Sequence, residues 1–154
     1  MAGIIVKAEL AAYRNALGKA RMYNPKVHAN VSPADEVVEK VASEFQRTAG
    51  TFRGVTHANT ITAFYSHHCH IRLVKDGNVV TGGFVVLNGI LLGLWSETPG
   101  NGDWLVREAV ALGADQLDCF DGYLLEFYAK HGFRELSREP NWDEALPDVV
   151  WMGR

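Results

Sequence analysis

Glu97-Thr98-Pro99-Gly100-Asn101-Gly102 is the stretch on which the reading of this chain turns. An apolar run, Gly89-Ile90-Leu91-Leu92-Gly93-Leu94-Trp95, precedes it and has the length of a buried strand. Asp103-Trp104-Leu105-Val106-Arg107-Glu108-Ala109-Val110-Ala111-Leu112 comes after it, with Leu105, Ala109 and Leu112 at helical spacing. Strand, glycine-bearing turn and helix aim unpaired backbone N–H groups and the positive end of a helix at one place, which attracts phosphate. Gly100 and Gly102 would supply positive φ and close backbone approach there. Taken alone, a plain strand-to-helix turn is the more economical reading, because short glycine motifs recur by chance.

The residues beyond the helix change that balance. Gly113-Ala114 offers a C-cap, a short strand runs from Gln116 to Phe120, and a second helix covers Gly122 to Lys130 before His131-Gly132-Phe133-Arg134 ends it. In this order the sequence resembles the GCN5-related N-acetyltransferase (GNAT) superfamily. The acetyl-CoA loop of that family reads Gln/Arg-x-x-Gly-x-Gly/Ala, followed by two residues and a pair of aliphatics. Glu97-x-x-Gly100-x-Gly102-x-x-Leu105-Val106 matches it, with Glu in place of Gln/Arg. The family's later signature is an Asn, a Tyr after six further residues, and then Gly-Phe. Asp121, Tyr128 and Gly132-Phe133 keep that order, with Asp in place of Asn. Phe133-Arg134-Glu135-Leu136 and Asp148-Val149-Val150-Trp151-Met152 look like the family's last two strands, so the resemblance runs from residue 78 to the end.

The resemblance implies an α/β fold with a mixed (α+β) sheet. The expected form is the GNAT-like acyl-CoA N-acyltransferase fold, a mostly antiparallel central sheet splayed at the cofactor, with helices on both faces and residues 1–154 forming a single GNAT-like domain. It implies acetyl-CoA as co-substrate and transfer of an acetyl group to an amine of a small molecule, peptide or protein. The pyrophosphate would lie on the amides of Thr98, Gly100, Asn101, Gly102 and Asp103, and the pantetheine arm along the backbone of Leu92, Leu94 and Trp95. Asp121 stands where an Asn helps to hold cofactor and helix. Tyr128 stands where family members keep a tyrosine acid for the leaving thiolate, a role that suits a phenol of pKa about 10; a packed aromatic beside Phe127 is the other reading. His68, His70 and Glu97 are candidates for the base, with His67 and Glu126 behind them. Glu97 and Asp103 would repel a pyrophosphate by on the order of 1 kcal/mol each, and no Lys or Arg occurs between Lys75 and Arg107. The same residues therefore also fit a non-catalytic GNAT-like binding or structural module that has lost CoA binding. Family analogy allows a homodimer.

The remainder of the chain reads more plainly. Its 154 residues suit one domain with a sizeable core, and 47% apolar with 21% charged residues is ordinary for a globular protein. A net charge of −3 gives no general attraction to nucleic acid or an anionic membrane. Cys69 and Cys119 read as reduced core residues of a cytoplasmic protein, and the apolar run at the N-terminus is too short for export or membrane insertion. Residues 3–7 predict a strand and Ala8 to Met22 a helix with Leu10, Tyr13 and Leu17 on one face, broken at Tyr23-Asn24-Pro25. Ser32-Pro33-Ala34-Asp35 predicts a helix start. That helix carries Val37, Val38, Val41 and Phe45. Thr51 to His67 reads as an irregular connection, either shaping an acceptor pocket with Phe52, Phe64 and Tyr65 or crossing the surface. His67-His68-Cys69-His70 reads as strand, with His68 and His70 on one face; two such ligands do not close a zinc site, and no metal is expected. Residues 71–75 and 79–86 predict strands joined through Asp76-Gly77-Asn78, Gly82-Gly83 marks a bulge or a close backbone approach, and Asn88-Gly89 turns into the next strand.

Overall fold

Three long strands joined by tight turns form the middle of the protein, seen in a computed structural model that describes residues 3–49 and 57–154. They are β2 (Cys69–Asp76), β3 (Val79–Leu87) and β4 (Ile90–Ser96), paired antiparallel in that order. Asn88 and Gly89 make the β3–β4 turn with φ of 48° and 81°, the positive values a two-residue hairpin needs at both central positions. β1 (Ile4–Lys7) flanks β2, and β5 (Gln116–Phe120) joins β4 in parallel. β7 (Val149–Gly153) lies antiparallel to β5, with β6 (Arg134–Glu139) at the far edge. The resulting sheet of seven strands has the order β1-β2-β3-β4-β5-β7-β6.

Alternation along the strands sends apolar side chains to both faces. On one face Leu73, Val85, Leu87, Leu92 and Trp95 pack with Tyr13, Leu17, Val37, Val41 and Phe64. Those partners come from α1 (Leu10–Tyr23), α3 (Ala34–Ala49) and α4 (His57–His67), and α2 (Pro25–Asn30) adds Val27. On the other face Val74, Phe84, Val86, Leu91 and Leu117 pack with Leu105, Val106 and Ala109 of α5 (Asn101–Ala111), Tyr128 of α6 (Tyr123–Ala129), and Phe133. The splayed, mostly antiparallel sheet with helices on both faces is the fold class that the resemblance implies.

One local expectation holds and two are corrected. Tyr23-Asn24-Pro25 does end α1, but it also starts α2, because the Asn24 side chain accepts from the amides of Lys26 and Val27 (3.1 and 3.4 Å) and Pro25 takes the first helical turn. Residues 57–67 form α4 in place of an irregular connection, and its Phe64 is fully buried edge-on to Phe45; Phe52 lies outside the described residues. The His68 amide donates to the Phe64 carbonyl at 2.8 Å, which extends the helical pattern and delays β2 to Cys69. His67 and His68 are therefore not strand residues, and His68 and His70 do not share a strand face.

Gly82 and Gly83 mark close backbone approaches, since a Cβ on either would lie 2.6 Å from a carbonyl oxygen, of Trp95 and Arg72 respectively. The irregularity that matters most lies across from them. Gly83 opposes Trp95 while Val85 opposes Leu92, so Gly93 and Leu94 together face Phe84 alone. This bulge puts Gly93 at φ 54°, and the fully buried Tyr13 donates its hydroxyl to the Gly93 carbonyl at 2.8 Å. Pairing between β4 and β5 stops at Leu91–Leu117, and the two strands part beyond it.

Gly93→Ala is expected to destabilise the protein by about 3 kcal/mol in urea unfolding, because its Cβ would stand 1.9 Å from the Tyr13 hydroxyl at a strained φ. Tyr13→Phe, which orphans the carbonyl without a clash, is expected to cost about 1–2 kcal/mol. A Gly93→Ala protein as stable as the parent would contradict the account of the bulge.

Candidate active site

Beyond β4 the chain turns tightly. Ser96 Oγ accepts from the Thr98 amide (3.3 Å) and donates to the Thr98 carbonyl (3.0 Å), and that carbonyl also accepts from the Asn101 amide (3.2 Å). Gly100, at φ 86°, is the N-cap of α5, and its lack of a side chain leaves the helix end without a side-chain cap. First-turn amides beyond Asn101 have no intrahelical acceptor by the geometry of a helix, and they concentrate the positive end of its dipole. Gly102 matters for closeness: a Cβ there would meet Phe127 Cζ at 3.2 Å, so glycine lets α5 settle against α6.

A cleft of ≈ 600 Å³ opens at this helix end. Residues 94–100, Gly102 and Asp103 form one wall, Lys26 and Asn30 of α2 another, and Phe127 and Tyr128 of α6 a third. A second, narrower cavity of ≈ 40 Å³ lies where β4 and β5 part, between Leu92, Gly93 and Leu94 on one side and Asp118 and Cys119 on the other. Tyr128 lines both. The residue is 7% exposed and its hydroxyl makes no hydrogen bond among the described residues. Burial, with smaller contributions from neighbouring groups led by Cys119, pushes its phenol above the ordinary tyrosine range.

The acids of the loop are engaged elsewhere. Asp103 Oδ1 lies 2.7 Å from His131 Nε2 and 3.5 Å from Lys130 Nζ. The His131 hydrogen bond foremost, then the nearby Lys130 charge, holds this carboxyl below its usual value. Glu97 Oε2 accepts from the Tyr23 hydroxyl at 2.9 Å. Lys26 adds a cation to the cleft from far away in sequence. Nothing in the run around Lys26 signals that placement, which depends on α2 starting at Pro25.

No protein-family model matches the sequence, and no curated protein matches it. Among solved structures, an acetyltransferase of the GNAT family from Streptococcus pneumoniae superposes with a TM-score of 0.59, covering 98% of this chain and 97% of its own at 15% identity. The fold is the GNAT fold. RimL, a ribosomal L7/L12 alpha-N-protein acetyltransferase in complex with coenzyme A, shares it at a TM-score of 0.56 and 12% identity over 97% of this chain and 92% of its own. So does yncA, a putative acetyltransferase from Salmonella typhimurium with its cofactor acetyl-CoA, at 0.51 and 14% identity over 99% and 92%.

Within the GNAT fold the sequence-selected residues separate into two groups. Leu94, Trp95, Glu97, Thr98, Gly100, Gly102, Asp103 and Tyr128 line the larger cleft, and Leu92 lines the cavity between the strands. Asn101 is buried beneath the loop at 2% exposure. Asp121 lines neither space: its Oδ2 is 3.0 Å from Arg138 Nη1 and its amide donates to the Asp148 carbonyl, so it ties the end of β5 to the β6–β7 hairpin. His68 Nδ1 lies 3.0 Å from Asn88 Oδ1, and His70 opposes Val86. Both stand at β2, separated from β4 by β3, and neither lines either cavity. The structure therefore places Asp121, His68 and His70, selected as cofactor-binding residue and bases, outside both spaces: Asp121 is held by the β6–β7 hairpin, and the histidines lie beyond β3. The described residues contain no group of three or more His, Cys, Asp or Glu placed to hold a metal ion. No helix among them is long and apolar enough to cross a membrane.

A carboxyl with a lowered native pKa contributes stability that is complete above its unfolded value and is lost as pH falls through the native value. The stability difference between the parent and Asp103→Asn is therefore expected to be largest at neutral pH and to shrink as pH is lowered through and below 3.8. Thermal melts of both proteins across the acid range check this; a difference independent of pH would contradict the assigned pairing.

Proposed function

We propose that the protein is an acetyl-CoA-dependent N-acetyltransferase acting on an amine of a small molecule, peptide or protein. The observation that carries this reading is continuity. The bulge at Gly93 opens β4 from β5 at the strand end that runs into a helix N-terminus with no side-chain cap, and Tyr128 lines both resulting spaces.

The residues present suit the co-substrate. A Cβ at position 102 would crowd Phe127, and Trp95 Nε1, on the strand that borders the cleft, is buried without a partner among the described residues. Amides of the α5 first turn, with Lys26 near them, would hold the diphosphate. Beyond Leu91 the backbone of β4 no longer pairs with β5, so it would bind an extended arm as an added strand does. Acetyl-CoA, when bound, supplies an activated acyl carbon to the acceptor nitrogen. Tyr128 would hold a proton at Oη for the departing sulfur, and its raised pKa keeps that proton in place through the neutral range. Glu97, bonded to Tyr23 at the cleft wall, would orient rather than deprotonate. Engagement of Glu97 by Tyr23 and of Asp103 by His131 supports this reading over a non-catalytic module that has lost CoA binding.

Calorimetric titration with coenzyme A is expected to show saturable binding that Gly102→Val weakens at least about tenfold. Tyr128→Phe is expected to leave that binding intact and to lower kcat roughly 10²-fold. Absence of coenzyme A binding in the parent protein would overturn the proposal.

A further inference from the structure

The helices that cover one face of the sheet do not cover all of it. Buried strand residues in that core come from β2, β3 and β4, and among the described residues none comes from β5 or β7. Alternation along β5 and β7 turns Leu117 and Cys119, with Met152 and Val150 opposite them, toward the other core. Asp118 and Trp151 are thereby left on the thinly covered face. They are directly opposite in register, which sets their Cβ atoms about 5 Å apart. Trp151 is 38% exposed, which leaves part of its indole open to a ligand.

Asp118 also lines the narrow cavity between the parted strands, together with Glu36 of α3. Neither carboxylate has an ion-pair partner among the described residues, and Lys40, also on this cavity, pairs with neither. Tyr128, deeply buried and with no hydrogen bond from its hydroxyl among the described residues, lines the same space. A half-buried carboxylate beside an indole provides what an ammonium group requires, a charge-assisted acceptor and a π face. A space of ≈ 40 Å³ between the strands admits only a narrow end of a molecule.

We propose that Asp118 and Trp151, with Glu36 at the rim, form the acceptor site and select a primary ammonium group on an unbranched stem. This rests on the acetyltransferase reading for its catalytic meaning, while the binding itself does not. The amine enters as its cation, held by the carboxylates, and sheds one proton to solvent before its nitrogen reacts.

Putrescine and trialanine serve as probes, titrated calorimetrically into the full chain with and without coenzyme A. Saturable putrescine binding is expected, stronger than that of trialanine, whose ammonium stands on a branched carbon; stronger trialanine binding would contradict the selection of an unbranched stem. Asp118→Asn is expected to weaken binding about tenfold and Trp151→Ala about fivefold, with Trp151→Phe recovering most of the loss. Melting curves of each variant confirm folding. Absence of putrescine binding, or putrescine binding indifferent to both Asp118→Asn and Trp151→Ala, would overturn the proposal. A separate titration with coenzyme A alone tests the acetyl-CoA reading, so its failure is distinguishable from failure of the amine site.

Discussion

The hydrogen bond from the Tyr13 hydroxyl to the Gly93 carbonyl is the contact around which the site is arranged. A strand that bulges releases a carbonyl from its ladder, and a released carbonyl inside a protein must find a donor. Tyr13 supplies it from α1, fully buried and packed edge-on against Trp95 at 5.7 Å. Burial raises the Tyr13 phenol above its usual range, so it remains a donor at any pH the fold tolerates. Because this contact joins the first helix to the fourth strand, the N-terminal helices and the central sheet set the opening between β4 and β5 together.

Electrostatics at the neighbouring loop depend on the same kind of pairing across sequence distance. An uncapped helix end favours an anion, and carboxylates beside it oppose one. His131, Lys130 and Tyr23 all engage those carboxylates, and Lys26 brings a charge of the opposite sign to the cleft. A chain of net charge −3 can therefore present a phosphate-compatible pocket, because local partners decide the field that a ligand meets.

Fold class was legible in the sequence because its signals are local and consecutive. Asp-Gly and Asn-Gly between apolar runs announce the hairpins, and Gly100, Gly102, Leu105 and Val106 announce the loop and its helix at fixed offsets. Legibility failed where the deciding partner is remote. Pro25 reads as a breaker until Asn24 caps the turn after it. Residues 57–67 show little helical patterning, yet Phe64 makes a helix worthwhile by burying itself against Phe45. His68 and His70 drew attention by chemistry alone, and only the strand order shows that β3 stands between them and the cleft. Asp121 aligned with a family Asn, but its ion pair is made with Arg138, which no motif marks. Asp118 and Trp151 escaped notice for the same reason: their adjacency is a property of register between two strands far apart in the chain.

The central claim is that the parted end of β4 and the first turn of α5 act as one ligand-binding surface. Amide hydrogen exchange with and without saturating coenzyme A tests it most directly. Slowed exchange is expected in two separate segments at once, residues 92–95 and residues 100–104, with the hairpin turn at Asn88 and Gly89 unchanged. Protection confined to some other part of the chain, or no change anywhere, would contradict it.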